Sequence, residues 1–498
     1  MPLSGRQLVE MSLEMWTRQE ANELDEKYNR LADHYNNDLE GATYFPKYFR
    51  ESQERYSKRP KEVLPLSSAT VDALAGAMVG DGVQVTIGES DSKENETYQK
   101  IQQHNDLDGY NALAVAQVAG VYGWSADRIL LQDKDTIEFE RVTPLHFRPI
   151  YDNSAIGRSV KRVNGISFST YYDPDSGSSV PRDTSVGATS RDVKIEIITE
   201  SEWWVFLNGK PQPTAPMDES VRWMPRDDGG NPYGTIPVSL LWNTHNVSQF
   251  HGRADIDPGY KLAEEINRVY SQMLYNLQML FPTLTIPKQG QGGSGLAMGL
   301  GIAVEYPLDG QSPSWISPPF DVANFMEPLK ALLTLFFSTV HTPASAHGLG
   351  TIFGQQTQES GKAKFYEMGA MSNHVTRKRT NFTSYKRQQW RQLATVLNQA
   401  APYGWGSSLD VDAPVNVEYP TSVVPVSDQE FQEDIISQMQ SKLISHIEAI
   451  LLSRGWQDDE AHREKAQNVL DEIGAAATST APKSALDRML EGVPGGTV

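Results

Sequence analysis

The residue types most often used in catalysis occur in this sequence without the spacing that catalysis requires. The stretch ESGKA (359–363) resembles the end of a phosphate-binding loop, in which backbone amides and a lysine cradle the phosphates of a nucleotide. It lacks the first glycine of that loop, and Ala363 stands where a magnesium-binding hydroxyl is needed. The glycines of HGLGTIFG (347–354) do not follow a predicted strand, as those of a dinucleotide-binding motif do. Neither segment predicts a nucleotide site.

Metal and acid–base sites are equally weakly indicated. His245 and His251 are six residues apart, the smallest spacing between histidines in the sequence, and we find no carboxylate set beside them that would complete a metal site. The acidic turns DKD (133–135) and DVD (410–412) lack the ligand spacing of a calcium loop. No HExxH or GxSxG motif is present. The sequence therefore singles out no catalytic residue, no metal and no cofactor.

One charge pattern does stand out. No acid occurs between Glu367 and Asp410, whereas six bases do. The six bases are Arg377, Lys378, Arg379, Lys386, Arg387 and Arg391. They favour contact with a neighbouring subunit, contact with DNA phosphates, or a solvated helix face with internal ion pairs. Residues 428–472, in contrast, hold eleven acids and four bases. Opposite charges on two elements suit subunits that touch side by side.

Composition narrows the class of protein. The chain has 498 residues, a formal charge of −19 and no cysteine. The absence of cysteine excludes disulfide frameworks and thiolate metal sites, and it fits folding in a reducing cytoplasm. The charge argues against tight nucleic-acid binding by the whole surface, but a protein that surrounds DNA without gripping it is compatible with an acidic lining.

Targeting signals are not predicted. The first residues, MPLSGRQLVEMSLEMW, carry acids where a signal peptide needs an apolar core. The densest apolar stretch, around residues 329–340, is too short to span a bilayer. We therefore expect neither secretion nor a membrane partner.

Hydrophobic periodicity predicts a mixed helix-and-strand region in the first half of the chain. Helices are predicted at residues 4–38, 68–79 and 109–123, with Ser68 as the cap of the second. Strands are predicted at residues 83–87, 128–132, 137–142, 145–151, 160–170, 193–199, 202–207 and 236–242. Asn208-Gly209 indicates a hairpin turn after the strand at 202–207. The polar stretch at 172–191 is predicted to be an exposed loop.

The second half predicts two long helices that flank a small β segment. Asp257-Pro258 indicates a helix start, and that helix stops before Pro282. A returning helix is predicted at residues 324–339. Between them, short strands are predicted at residues 283–286, 302–306 and 314–317. The economical geometry is a pair of antiparallel rods with a small domain at the far end. Further predictions are a helix at 361–400, a strand at 415–419 and acidic helices at 428–453 and 458–473.

This order of elements resembles the portal, or head-to-tail connector, proteins of tailed bacteriophages. The resemblance covers roughly residues 25–470 and is carried by NALAVAQVAGVYGWSADRI, FERVTPLHFRPIYDN, NPYGTIPVSLLWN and SGKAKFYEM. Its most specific features are the Tyr-Gly-x-Ile-Pro-Val strand that enters a long helix and the Ser-Gly-x-Ala that opens the helix after the second rod.

The resemblance implies an α+β portal fold that assembles as a ring, usually of twelve subunits. The implied parts are an N-terminal wing (1–256), a stem of two helices (257–281 and 324–341), a β-containing clip (282–323), a tunnel loop (342–360), a wing helix with a strand (361–427) and a helical crown with the C-terminal tail (428–498). The strand at 236–242 would close the wing, and the helix after it would build the wall of a channel.

The same resemblance implies a channel for packaging and ejection of double-stranded DNA at one capsid vertex. The implied partners are other copies of the chain, DNA held without sequence specificity, the terminase large subunit, the major capsid and scaffold proteins, and head–tail adaptor or neck proteins. The implied location is the virion, with assembly in the host cytoplasm. The tunnel-loop residues expected to face DNA are Thr351, Ile352, Phe353, Gln355, Gln356, Thr357 and Gln358. The expected charges of the stem channel are Lys261, Arg268 and Lys330.

Two alternatives stay open at this point. Another oligomeric virion protein, such as a head–tail adaptor, would lack a role in DNA translocation. An enzyme with an unrecognised site would form a monomer or small oligomer with a concave polar pocket. The length of the chain and the layout of two rods around a β insert argue against the adaptor. The enzyme differs in its assembly, because the portal interpretation assigns no enzymatic activity and predicts a large ring with an axial hole.

Overall fold

The structure is a computed structural model that describes residues 19–47, 52–80, 82–131, 136–151, 163–173, 178–180, 192–207, 210–211, 230–244, 252–278, 283–285, 314–316, 323–347, 368–400, 408–420, 447, 463 and 465–470. The chain forms two compact units. The first combines Met1–Thr357 with Met368–Thr421, and the second combines Gln358–Glu367 with Ser422–Val498. In the second unit, Ala466 is buried against Ile447, Val469 and Leu470. Residues 465–470 are helical, as predicted.

All the named helices and strands belong to the first unit. The helices are α1 (Gln19–Asn36), α2 (Gly41–Tyr44), α3 (Gln53–Lys58), α4 (Leu66–Val79), α5 (Lys93–Asn105), α6 (Tyr110–Tyr122), α7 (Tyr260–Gln278), α8 (Ala323–Thr339) and α9 (Gly369–Ala400), with a 3₁₀ helix at Ala344–His347. The strands are β1 (Gln84–Ile87), β2 (Trp124–Leu131), β3 (Ile137–Val142), β4 (Phe147–Tyr151), β5 (Val163–Asp173), β6 (Ser178–Val180), β7 (Asp192–Thr199), β8 (Trp203–Leu207), β9 (Lys210–Pro211), β10 (Val238–Trp242), β11 (Thr283–Thr285), β12 (Ser314–Ile316) and β13 (Val415–Glu418).

The described strands form antiparallel sheets. The largest has the order β4-β5-β7-β8-β9, and β6 pairs with β5. A three-stranded sheet has the order β10-β2-β3, while β1 pairs with β13 and β11 with β12. This unit combines helices with sheets whose described strands pair antiparallel, which is consistent with the α+β class.

Most predicted elements are confirmed, but the following local interpretations are wrong. Ser68 does not cap its helix, because α4 begins two residues earlier at Leu66. The predicted loop at 172–191 contains a strand, since Ser178 pairs with Asp173. The helix α5 was not predicted. It has one buried side chain, Tyr98, and so lacks an apolar stripe, but Ser92 caps it by accepting a hydrogen bond from the Asn95 amide.

Several predicted elements lie outside the described residues. They are the start of the N-terminal helix (4–18), the strand at 302–306, the residues 361–367 of the long helix, and most of the acidic helices at 428–453 and 458–473.

The longest described helix, α9, forms the centre of the core. Its residues Phe382, Leu393 and Val396 are fully buried, and the helix packs against β10, α4 and β13. Trp390 is also buried, and its indole nitrogen donates to the Asp410 carbonyl at 3.1 Å. The helix therefore joins the sheet of β10 to the small sheet of β1 and β13.

Helices α7 and α8 form an antiparallel pair. The start of α7 meets the end of α8, because a side chain added at Gly259 would lie 2.7 Å from a methyl group of Val340 and 3.0 Å from the Phe336 ring. At the other end, β11 after α7 pairs with β12 before α8. The predicted two-rod arrangement is confirmed for these residues. At 1.5 Å per residue, the 19 residues of α7 extend about 28 Å.

The pair is held by a continuous apolar seam. Its buried members are Leu66, Ala263, Ile266, Leu329, Leu333, Phe336, Phe337 and Val340. Leu66 comes from α4, so the seam also fixes the helix pair to the rest of the unit. Helix α7 begins at Tyr260 rather than at the predicted cap. The carboxylate of Asp257 instead accepts a hydrogen bond from Lys27 at 2.9 Å.

Candidate functional site

The base of the helix pair contains a buried polar cluster, which we name the Asp255 centre: Asp255, Asn243, His374 and Lys378. Asn243 follows β10, Asp255 precedes α7, and the other two belong to α9. The Lys378 ammonium donates to Asp255 Oδ2 at 2.7 Å, and the two side chains are 1% and 0% exposed. Asn243 Nδ2 donates to Oδ1 at 2.7 Å, and His374 Nε2 lies 3.3 Å from the same oxygen. The centre thus connects the end of the sheet, the start of α7 and the long helix.

The charge of the Asp255 carboxylate is compensated by its neighbours within the Asp255 centre. Burial alone raises the pKa of the Asp255 carboxyl, but the Lys378 charge and the hydrogen bonds from His374, Lys378 and Asn243 lower it below its usual value. The main-chain amide of Asp255 also donates to the Gly120 carbonyl at 2.8 Å. A buried carboxylate needs this density of partners, because an unpaired one is costly away from water.

A second polar cluster joins α1 to α7, and we name it the Glu264 clamp: Arg30, His34 and Glu264. The Arg30 guanidinium donates to both oxygens of Glu264, at 2.6 Å and 2.7 Å. His34 Nε2 lies 3.0 Å from Oε1, and its side chain is 1% exposed. Burial raises the pKa of the Glu264 carboxyl, but the hydrogen bonds from His34 and Arg30 lower it overall. The clamp fixes the N-terminal helix along the first turns of α7.

Substituting Glu264→Gln tests the clamp. We expect the free energy of unfolding at pH 7 to fall by about 1.5–3 kcal/mol, the range for hydrogen bonds to charged groups. Since the folded pKa of Glu264 is lowered, its contribution is present above the unfolded pKa and is lost as the pH falls through the folded value. Urea unfolding at pH 7 and at pH 4 should therefore show a smaller loss with acid in the variant than in the wild type. An equal loss would contradict an ionised clamp.

The residues predicted as channel charges of the stem differ in their surroundings. Lys261 is exposed and lies 5.9 Å from the Tyr260 ring centroid. Lys330 lies 3.8 Å from Glu327 on the same helix, with 36% of its side chain exposed. Arg268 donates to the Tyr44 carbonyl at 3.0 Å and is 23% exposed. Lys261 is thus exposed and Lys330 is half-buried beside Glu327, whereas Arg268 contacts the N-terminal region of its own chain.

The six bases of α9 do not form a single exposed face. Lys378 belongs to the Asp255 centre. Lys386 is 2% exposed and donates to Asp108 at 3.0 Å and to the Leu107 carbonyl at 2.9 Å. Neither ammonium group is therefore accessible to DNA or to a neighbouring subunit. Both lysines form internal ion pairs, but they are buried and do not belong to the solvated face that the third interpretation assumed.

The other four bases lie nearer the surface. Arg379 is half-buried and donates to the carbonyls of Ala77 at 3.0 Å and Met78 at 3.1 Å, so it satisfies acceptors left free at the end of α4. Arg391 forms an exposed ion pair with Asp412 at 2.6 Å. Arg377 and Arg387 are exposed. The accessible charge is therefore concentrated on three arginines.

The burial of the two lysines could have been predicted from the sequence. Lys378, Phe382, Lys386 and Trp390 recur every four residues and therefore share one face of the helix. Two of them are core aromatic residues, so the lysines between them must also point inward. Their partners could not be identified in the same way, since Asp108 and Asp255 are distant in sequence from α9.

Other predicted site residues lie outside the described part of the chain. These include the tunnel-loop residues Thr351, Ile352, Phe353, Gln355, Gln356, Thr357 and Gln358. His245, His251, the DKD turn and the ESGKA segment also lie outside it. Within the residues that the structure describes, no group of three or more histidine or acidic side chains is arranged to hold a metal ion. No helix in that part of the chain is long and apolar enough to cross a bilayer.

Comparison with known proteins supplies the family. The family model described as "Phage portal protein, SPP1 Gp6-like" matches residues 17–477. No curated protein matches the sequence. The matched range includes the helix pair, the Asp255 centre and the Glu264 clamp, and it agrees with the resemblance found in the order of elements. Because the match extends over nearly the whole sequence, the chain belongs to the SPP1 Gp6-like family of phage portal proteins.

Proposed function

We propose that this chain forms a ring of twelve copies at one capsid vertex, through which double-stranded DNA is packaged and later ejected. The family supports a structural role as a portal of the capsid. The observation that carries the finer proposal is the α7/α8 pair, a two-helix rod rigidly anchored at its base. An open channel needs a wall that keeps its shape while DNA moves, and a packed helix pair with buried anchors supplies one.

The anchors explain how such a wall would be held. Buried ion pairs at Asp255 and Glu264 fix the start of α7 to α9 and to α1. The apolar seam fixes α8 to α7 along its length. A helix pair that is held at one end by two polar clusters and along its side by an apolar seam resists bending. None of these contacts requires a catalytic group. The chain then acts as a conduit, and an ATP-driven terminase would supply the force.

In this proposal, α7 and α8 form the stem, residues 282–323 the clip, residues 342–360 the tunnel loop, and residues 428–498 the crown and tail. The clip docks terminase and then the neck or tail adaptors. Residues 1–256 and 361–427 form the wing. The tunnel-loop residues 351–358 face DNA, and their neutral side chains favour sliding over tight pairing. Lys261 is the best-supported channel charge, since it makes no ion pair among the described residues and is exposed.

Imaging and mass measurement test the proposal. We expect negative-stain electron microscopy of the purified chain to show rings with an axial hole, and the mass in solution to be near twelve times 55.4 kDa. Rings whose hole is too narrow for duplex DNA, or a stable dimer with a closed pocket, would contradict a DNA conduit. If the purified chain is monomeric, the same imaging is applied to the vertex of assembled particles, where absence of the chain would reject the proposal.

Mutating the tunnel loop tests the DNA-facing role separately. We expect Phe353→Ala combined with Gln355→Ala to preserve ring formation and to lower the yield of packaged DNA in an assembly assay. The matched control is the pair Lys58→Ala and Lys100→Ala, which removes two exposed lysines of the first unit. Packaging at the wild-type level in the loop variant would reject the DNA-facing assignment while leaving the ring untouched.

A further inference from the structure

A cleft beside the Asp255 centre is not used by the proposed conduit. It has a volume of about 450 Å³ and lies where the base of the helix pair meets α9. The segment before α7 contributes Arg253, the end of α8 leads into His341, and α9 contributes His374, Arg377 and Thr380. Three separate segments therefore converge on a concave site that is open to solvent.

The cleft is positively charged. Arg253 and Arg377 are exposed and form no ion pair among the described residues. The His341 and His374 rings face each other with centroids 5.3 Å apart. The acid in the lining, Asp255, is already neutralised by the buried Lys378 ammonium. Two guanidinium groups and two imidazoles thus line the cleft, and the carboxylate of Asp255 is already paired with Lys378.

The shape and the charge of the cleft indicate which kind of ligand it binds. Two arginines provide several N–H donors in the planar arrangement that suits a carboxylate or a phosphate. A concave cleft accepts a projecting side chain, whereas the phosphates of duplex DNA lie on a convex rod and reach only the rim of a concavity. The chain has 63 acidic and 44 basic residues, so a second copy offers many carboxylates. Charge complementarity therefore favours another copy of the same chain.

We infer that this cleft binds an acidic side chain of a second copy of the chain and thereby forms a contact between neighbouring subunits. The inference rests on the proposed ring, and it deepens that proposal by naming the surface and the chemistry of the contact. It also locates the contact at the base of the helix pair. Movement of one subunit's base would then be transmitted directly to its neighbour.

His341 gives the contact a pH dependence. In the isolated chain the pKa of His341 is lowered by burial and by the nearby His374, Arg253 and Arg377, with Asp255 opposing this effect. An incoming carboxylate would stabilise the protonated imidazole and raise that pKa, so docking takes up a proton. Acidification from pH 7.5 to 6.0 should therefore strengthen the contact, until the partner carboxylate itself becomes protonated.

Charge reversal tests the contact. We expect the double variant Arg253→Glu/Arg377→Glu to raise the protein concentration needed for half-assembly by about tenfold or more, as measured by mass photometry across a salt series. The control Lys58→Glu/Lys100→Glu changes the net charge equally at exposed positions and should shift that concentration less than about twofold. Wild-type rings together with unaltered assembly of the arginine variant would overturn the inference while leaving the proposed function intact.

A second variant separates a binding role from a structural one. His341→Asn removes the titrating ring and keeps a residue type that tolerates the left-handed backbone at this position (φ +59°). We expect the wild-type half-assembly concentration to fall several-fold between pH 7.5 and 6.0, and that of the variant to change little. An identical pH response in both proteins would overturn the role of His341.

Photo-cross-linking identifies the occupant even if rings form only in assembled particles. A photoreactive amino acid at Thr380, on the exposed side of the cleft, should cross-link to a peptide of a second copy that contains an acidic residue. A cross-link to DNA would overturn the inference in favour of a phosphate, and a cross-link to a different protein or none at all would also overturn it.

Discussion

Replacing Asp255 by alanine is expected to lower the free energy of unfolding by about 3–5 kcal/mol. The reason is that the Lys378 ammonium, 1% exposed, would lose its carboxylate and remain buried without a counter-charge. Asn243 and His374 would also lose their acceptor. Urea unfolding followed by tryptophan fluorescence measures the change. The control is Arg391→Ala, which removes an exposed ion pair and should cost less than about 1 kcal/mol.

A double variant distinguishes an uncompensated charge from lost packing. In Asp255→Ala/Lys378→Met the buried charge is gone, and much of the stability should return because apolar side chains can replace a buried ion pair. The pH dependence provides a second check. Since the folded pKa of Asp255 is lowered, its stabilisation is present above the unfolded pKa and is lost as acid protonates it. A double variant as unstable as the single variant would contradict this interpretation.

The second large effect is expected at Phe336. Substituting Phe336→Ala should lower the free energy of unfolding by about 3–5 kcal/mol, because it opens a cavity where the start of α7 meets the end of α8. The ring is 0% exposed, packs against Phe337, and lies where Gly259 allows α7 to approach α8. Chemical unfolding of the full chain measures the loss, and ring formation measures its structural consequence.

The matched control for Phe336 is its neighbour on the same helix. Leu335 is 55% exposed, so Leu335→Ala removes an apolar side chain without making a cavity and should change stability by less than about 0.5 kcal/mol. Equal losses at the two positions would contradict the seam. A larger loss of ring assembly than of stability at Leu335 would instead assign that side chain to a contact between copies.

The sequence predicts helices α7 and α8 better than the polar contacts that fix them to the rest of the unit. Helix α8 was predicted at 324–339 and observed at Ala323–Thr339, because its apolar residues recur at helical spacing and its ends are marked. The opening of α7 was predicted less well. Asp257 has the chemistry of a cap, but tertiary contact with Lys27 engages its carboxylate, and the helix begins at Tyr260. Local propensity could not anticipate a partner 230 residues away.

For the six bases of α9 as well, the sequence predicted the helix better than the contacts of its side chains. Six bases without an intervening acid predicted a basic helix face, but their number alone did not separate exposed from buried positions. Lys378 and Lys386 are buried because each meets a carboxylate from another element, at Asp255 and Asp108. Arg377, which has no such partner among the described residues, remains exposed. The spacing of these lysines with Phe382 and Trp390 could have indicated the buried face of the helix, whereas their partners could be identified only from the fold.

Pairing between distant residues of the first unit also determines when during synthesis its parts can fold. Arg379 donates to the Ala77 carbonyl, 302 residues earlier in the chain, and β1 pairs with β13. At about 5–20 residues per second, the end of α4 and the edge of β1 wait roughly 15–60 s for these partners to be translated. An unpaired strand edge is prone to pair with other chains during that time. Nascent copies translated side by side on one message would therefore be at greatest risk of mispairing through β1 until β13 of each copy has been translated.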